Sequence, residues 1–141
     1  MEGIVNKNEA KLYKANMLFK TIKQVTGLSK EVLLSKDRKK EIAVVRSILG
    51  YMLYREIGFT STDTAKIIER DHSTVVYYGK MFDENYHYYK EYRDSYNLIT
   101  ESFWSKNAAN ESEEIDLQVK SLQSLIEKLR ERSKNLLIKN H

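Results

Sequence analysis

An all-α fold follows from three features of the sequence. Apolar residues recur at three- and four-residue steps along most of the 141 positions, there is no proline, and Gly27 and Gly58 stand where such periodic segments end. With 41% hydrophobic and 31% charged residues, the chain suits one or two small helical units.

Taken in order, Leu12, Ala15, Phe19 and Ile22 mark an amphipathic helix over Glu9 to Val25 that ends near Gly27. Ser29 is an N-cap for a short turn, Lys30 to Leu34, with Val32, Leu33 and Leu34 turned inward. A basic loop, Lys36 to Lys40, leads into a long helix over Lys40 to Ile57, where Ile42, Val45, Leu49, Met52 and Leu53 form one stripe and Gly58 is the stop. Thr60 to Asp63 fits a capping box that opens a short helix through Ala65, Ile67 and Ile68. Asp71 is the next N-cap, followed by Val75, Gly79 and Phe82 at helical spacing. Thr74 to Tyr78 alone has strand-like composition, but no partner strand is in sight, so helix is expected. Tyr86 to Trp104 carries an aromatic on nearly every turn and forms a further helix packing back on the module. Ser105 to Ser112 reads as a linker. The remainder, 113–141, is an amphipathic helix with Ile115, Leu122, Leu129 and Leu136 at seven-residue steps and Leu125 beside them; these five are the candidate oligomerisation residues. The organisation is thus a module over 1–104, a linker over 105–112 and a tail helix over 113–141.

Charge is unevenly placed. Lys36 to Arg46 carries five basic residues against Asp37 and Glu41, Glu101 to Asp116 carries five acids against Lys106, and Leu117 to His141 carries six basic residues against two acids. A basic module and a basic tail flank an acidic break, a pattern that points to polyanionic partners.

Several chemistries are excluded. Without cysteine there is no disulfide scaffold and no thiolate nucleophile, and zinc would depend on the scattered His72, His87 and His141. The five glycines are isolated and none opens a phosphate-cradling loop, so no nucleotide site is expected. No apolar run approaches a bilayer span and no leader pattern begins the chain, so a cytoplasmic, non-catalytic protein without cofactor is expected.

The informative stretch is Ser61 to Phe82: a short capped helix, a tight turn at Glu69 and Arg70, and a second helix headed Asp71-His72-Ser73-Thr74, which is a helix-turn-helix pattern. Short polar residues at such a helix start suit base edges in a major groove, and the free N–H groups there suit phosphate.

These residues resemble a known family. Arg70-Asp71-His72-Ser73-Thr74-Val75-Val76 is similar to the signature of the DNA-binding C-terminal domain of the bacterial replication initiator DnaA. Val32 to Lys40 resembles that domain's basic loop, and Ile42 to Ile57 with Arg46 inside it resembles its central helix; the likeness covers 16–85. The resemblance implies a Trp-repressor-like helical module on double-stranded sites of the DnaA-box type. By position, Asp71, His72 and Ser73 read bases in the major groove. Arg46 either enters the adjacent minor groove or snorkels beside the core. Lys36, Arg38, Lys39, Arg55, Arg70 and Thr74 contact or support the phosphate backbone. Glu69 stands where the family has glycine, Thr64-Ala65 replaces its small pair, and Tyr77-Tyr78 replaces smaller residues. Nothing corresponds to the initiator's ATPase domain, so assembly on ATP is not expected.

The expectation is therefore a stand-alone reader acting by occupancy in replication or transcription control, with a phage or mobile element as one setting. A homodimer through the tail is expected as a second partner mode. The rivals are a protein-interaction scaffold using the tail and aromatic helix, and a single-stranded binder using the tyrosines.

Overall fold

The computed structural model describes residues 7–139. Its elements are α1 (Lys7–Thr26), α2 (Lys30–Leu34), α3 (Lys40–Tyr51), a π-helical segment π1 (Met52–Ile57), α4 (Ser61–Ile68), α5 (His72–Tyr88) and α6 (Lys90–Lys139). No strand occurs among the described residues, and Thr74 to Tyr78 is helical within α5. His141 lies outside the described residues. The chain divides into two compact units, 1–104 and 105–141, so that 90–104 of α6 belongs to the first and 105–139 to the second.

The axis of the first unit is α3 with π1. Ile48, Leu49, Met52 and Leu53 are wholly buried and are met by Leu18 and Ile22 of α1, Leu33 of α2, Ile68 of α4, Val75 of α5, and Ile99 and Phe103 of α6. Each such aliphatic side chain contributes roughly 1.5–3 kcal/mol on burial, so this cluster is the main source of cohesion. Leu12 is exposed rather than part of the α1 stripe.

Local chemistry sets the boundaries. The Ser29 hydroxyl accepts from the Val32 N–H at 3.3 Å and the Thr60 hydroxyl from the Asp63 N–H at 3.0 Å, the two caps that the sequence suggests. Beyond Tyr51 the expected single helix widens. The N–H groups of Gly58 and Phe59 both donate to the Leu53 carbonyl, at 3.1 and 3.0 Å, and Gly58 closes the segment at φ +96. The wide turn keeps Met52, Leu53 and Ile57 in the core while Glu56 meets α6: Tyr96 Oη donates to Glu56 Oε2 at 2.6 Å and Trp104 Nε1 to Oε1 at 2.9 Å.

The aromatic stretch is divided differently from the expectation. Tyr86 belongs to α5, which runs on to Tyr88; the break falls at Tyr89, and α6 begins at Lys90. Tyr51 stacks on Phe82 with centroids 3.9 Å apart, and Tyr86 and Tyr96 pack against Phe82 at 5.7 and 4.8 Å. Burial, then the Glu56 carboxylate, raise the Tyr96 hydroxyl far above its ordinary value. Tyr88 and Tyr89 remain exposed at the break.

The expected linker is helical too. Residues 105–112 contain no glycine or proline and include the helix-favouring Ala108 and Ala109. Asn107 Nδ2 donates to Glu111 Oε1 at 3.3 Å, one helical turn on. Composition that reads as a loop is here compatible with an uninterrupted helix.

Candidate nucleic-acid interface

The turn between α4 and α5 builds the site. Glu69 ends α4 in the left-handed region at φ 55 and ψ 49, the one described non-glycine residue with positive φ. Arg70 N–H returns to the Ala65 carbonyl at 3.0 Å, and Asp71 then takes the extended conformation that starts α5. Asp71 stands at the N-cap position, and its carbonyl accepts from Thr74 and Val75 at 3.0 and 3.3 Å. Its side chain makes no cap hydrogen bond, contrary to the expected capping role. The carboxylate is left exposed at the helix start.

Helix α5 is held by close approach to α3 and π1. A Cβ on Gly50 would lie 2.5 Å from Tyr78 Cδ2, and one on Gly79 would lie 3.0 Å from Tyr54 Cε2. Each helix thus receives a tyrosine of the other where it has no side chain, which fixes how α5 presents its first turn.

The basic loop is ordered rather than loose. Ser35 Oγ donates to the Val32 carbonyl at 2.6 Å, the Asp37 N–H donates to Ser35 Oγ at 3.3 Å, and the Lys39 N–H donates to Asp37 Oδ1 at 2.9 Å. Arg46 ties this loop from beneath. It is 6% exposed, and it donates from Nε to the Leu33 carbonyl at 2.7 Å and from one terminal nitrogen to the Ser35 and Asp37 carbonyls, both at 3.0 Å. Of the two placements the sequence leaves open for Arg46, the structure has the one beside the core, with its donors on loop carbonyls rather than turned to solvent. Burial, then the charge of Arg70, lower its ordinarily very high pKa, yet a guanidinium stays charged in neutral solution. Arg70 is partly buried and donates to the carbonyls of Leu34 at 3.2 Å, Glu69 at 3.0 Å and Ser35.

Together these parts enclose a groove of about 640 Å³, whose walls include Lys36 and Arg38 from the loop, Thr62 and Lys66 from α4, and Asp71, His72 and Thr74 at the start of α5. Five cationic side chains border it against the two acids Glu69 and Asp71. His72 is exposed, with Nε2 sharing a 2.6 Å hydrogen bond with Ser61 Oγ, so the ring orientation is set from α4. Ser73 and Lys39 are exposed outside the groove walls. Arg55 is also apart: its guanidinium lies 4.7 Å over the Tyr54 ring. Lys66 and Thr62 were not among the sequence candidates. They share the outward face of α4 at a four-residue step, and that periodicity was the signal for them.

Among the described residues there is no helix long and apolar enough to cross a membrane, and no cluster of three or more His, Asp or Glu suited to a metal. The oligomerisation candidates Ile115, Leu122, Leu125, Leu129 and Leu136 are all at least half exposed on α6.

Comparison with known proteins agrees with this geometry. Residues 15–81 match the family described as bacterial DnaA protein helix-turn-helix. Over 73 residues the chain is 36% identical to the chromosomal replication initiator protein DnaA of Pseudothermotoga lettingae, covering 52% of this chain and 16% of that protein. Over 62 residues it is 34% identical to the DnaA of Kosmotoga olearia, covering 44% and 14%. The match therefore spans only about a sixth of those relatives' length. No solved structure matches. With the ordered loop, the α4 turn and the α5 start all inside the matched range, the chain carries, over residues 15–81, a helix-turn-helix domain of the bacterial DnaA family.

Proposed function

We propose that this protein is a non-catalytic, sequence-specific reader of double-stranded DNA, directed to sites of the DnaA-box type and acting in the control of replication initiation or transcription by occupying them. The observation that carries this is the convergence of Lys36, Arg38 and Lys66 around the start of α5, where the exposed Asp71 and His72 stand. Cationic side chains on loop and helix suit the phosphates that position a protein on a duplex, and short polar side chains at a helix start suit base edges. In this reading Asp71, His72 and Ser73 contact bases; Lys36, Arg38, Lys39, Lys66, Arg55 and Thr74 face phosphates; Arg70 supports the loop and adds charge. The single-stranded alternative has less support, because Tyr86, Tyr92 and Tyr96 are packed and the open tyrosines are dispersed, with Tyr13 on α1, Tyr77 on α5, and Tyr88 and Tyr89 at the α5–α6 break. A second element of the proposal is self-association through the exposed apolar residues of 115–136.

Selection of bound sequences from a random duplex pool tests the reading. One enriched motif, with affinity that falls steeply as salt rises, is the expected result. Salt-sensitive binding without any enriched motif would overturn sequence-specific recognition.

A further inference from the structure

We infer that the helix 105–139 pairs with a second copy of itself in antiparallel orientation, with Val119 facing the partner's Leu129 and Ile126 facing the partner's Leu122. This rests on the reading of that helix as a self-associating segment and adds its register and direction.

The apolar side chains decide the register. Ile115, Val119, Leu122, Ile126, Leu129 and Leu136 are 45–59% exposed and follow one another at steps of four, three, four, three and seven. That alternation is a continuous seam with Val119 and Ile126 at a positions and Ile115, Leu122, Leu129 and Leu136 at d. Leu125 then lies at a flanking g position rather than in the seam. The seven-residue spacing of Ile115, Leu122, Leu129 and Leu136 alone gives half of this pattern; the β-branched Val119 and Ile126 complete it. A helix with six such side chains in water has an unfilled face, and the seam runs about 30 Å at 1.5 Å per residue.

The charges decide the occupant and its direction. The first part of the segment is acidic, with Glu111, Glu113, Glu114 and Asp116, and the later part is net basic, with Lys128, Arg130, Arg132 and Lys134 against Glu127 and Glu131. A parallel pair sets acid beside acid and base beside base, and brings Asp116 at e against the partner's Glu111 at g. An antiparallel pair about a two-fold axis near Ile126 and Leu122 brings the acidic end of each copy onto the basic end of the other. There e faces e, so Asp116 meets the partner's Arg130, and the symmetry makes this contact twice. Gln123 meets its own counterpart. The chain is thus complementary to itself in one direction only.

The absence of cysteine from the sequence makes the test direct. In the antiparallel register position 115 faces position 133, so full-length Ile115→Cys and Ser133→Cys proteins, mixed and oxidised, should give a disulfide between the two variants, while neither alone links to itself. Self-linking of each variant alone would overturn the antiparallel arrangement yet leave self-association standing. Light scattering separates the two: a monomer mass for the unaltered chain at every concentration would overturn both. Asp116→Arg should weaken the dimer about tenfold, and adding Arg130→Asp should restore it. A tighter dimer from Asp116→Arg alone is the parallel result and would likewise overturn the proposal.

Discussion

Arg46 and Arg70 donate to the same carbonyl oxygen, that of Ser35. One guanidinium comes from the middle of α3 and the other from the turn ahead of α5, so the basic loop and the helix-turn-helix are joined through a single backbone acceptor. Two like charges converge there because the carbonyls of Leu33, Leu34 and Asp37 share the load of solvating them. The loop's shape, and with it the placement of Lys36 and Arg38, depends on this junction.

Arg46→Ala should therefore act on stability. The Leu33 and Asp37 carbonyls lose this donor, the Ser35 carbonyl keeps only Arg70, and a buried space opens, a loss of about 2–4 kcal/mol. A lowered urea midpoint in circular dichroism is the expected result. An unchanged midpoint together with weaker duplex binding would instead return Arg46 to the DNA.

Glu69→Gly should do the opposite. A left-handed backbone costs a residue with a Cβ roughly 1 kcal/mol relative to glycine, and the substitution also removes an acid from the groove wall. Both the melting temperature and the affinity for duplex DNA should rise. A melting temperature that falls would contradict the geometry of the turn.

At Gly50 the space is already taken by the Tyr78 ring. Gly50→Ala should destabilise the protein by roughly 1–3 kcal/mol through overpacking, and Tyr78→Leu in the same chain should recover part of the loss. Additive losses in the double variant would show that the two positions do not press on each other.

For recognition, His72→Ala should cost roughly 1–3 kcal/mol of discrimination between a selected site and scrambled duplex, whereas Lys39→Ala should weaken both alike. Ser61→Ala should reproduce part of the His72 effect, since the hydroxyl bonded to Nε2 orients the ring. Competition binding at fixed salt reads all three. Equal losses on every sequence from His72→Ala would place His72 outside base readout.

The helix-turn-helix was legible because its signals are local. Thr60 caps, Glu69 takes the place of a turn glycine, and Arg70 through Val76 sit in an order that resembles a known signature. Arg46 was not decidable, because its acceptors are backbone carbonyls of a loop, and no side-chain pattern encodes which carbonyls fold over an arginine. The break at Tyr89 lacks glycine or proline, and it arises where Phe82 and Tyr86 turn α6 back to pack Tyr96. The widening at Met52 was equally silent, since the apolar steps through Leu53 and Ile57 suit a regular helix as well. Lys66 was visible in the α4 periodicity, but a single cation on a short helix attracts less notice than the cluster at Lys36 to Lys40.

Trp104 is the sole tryptophan of the chain, and its indole N–H rests on Glu56. Fluorescence excited at the red edge therefore reports on one spot, the seam between π1 and the last aromatic turn of the first unit. Loosening of that seam shifts the emission toward longer wavelength, while ligands gathered at the start of α5 leave it nearly still. The fold thus carries its own optical gauge of internal closure, read without any attached dye.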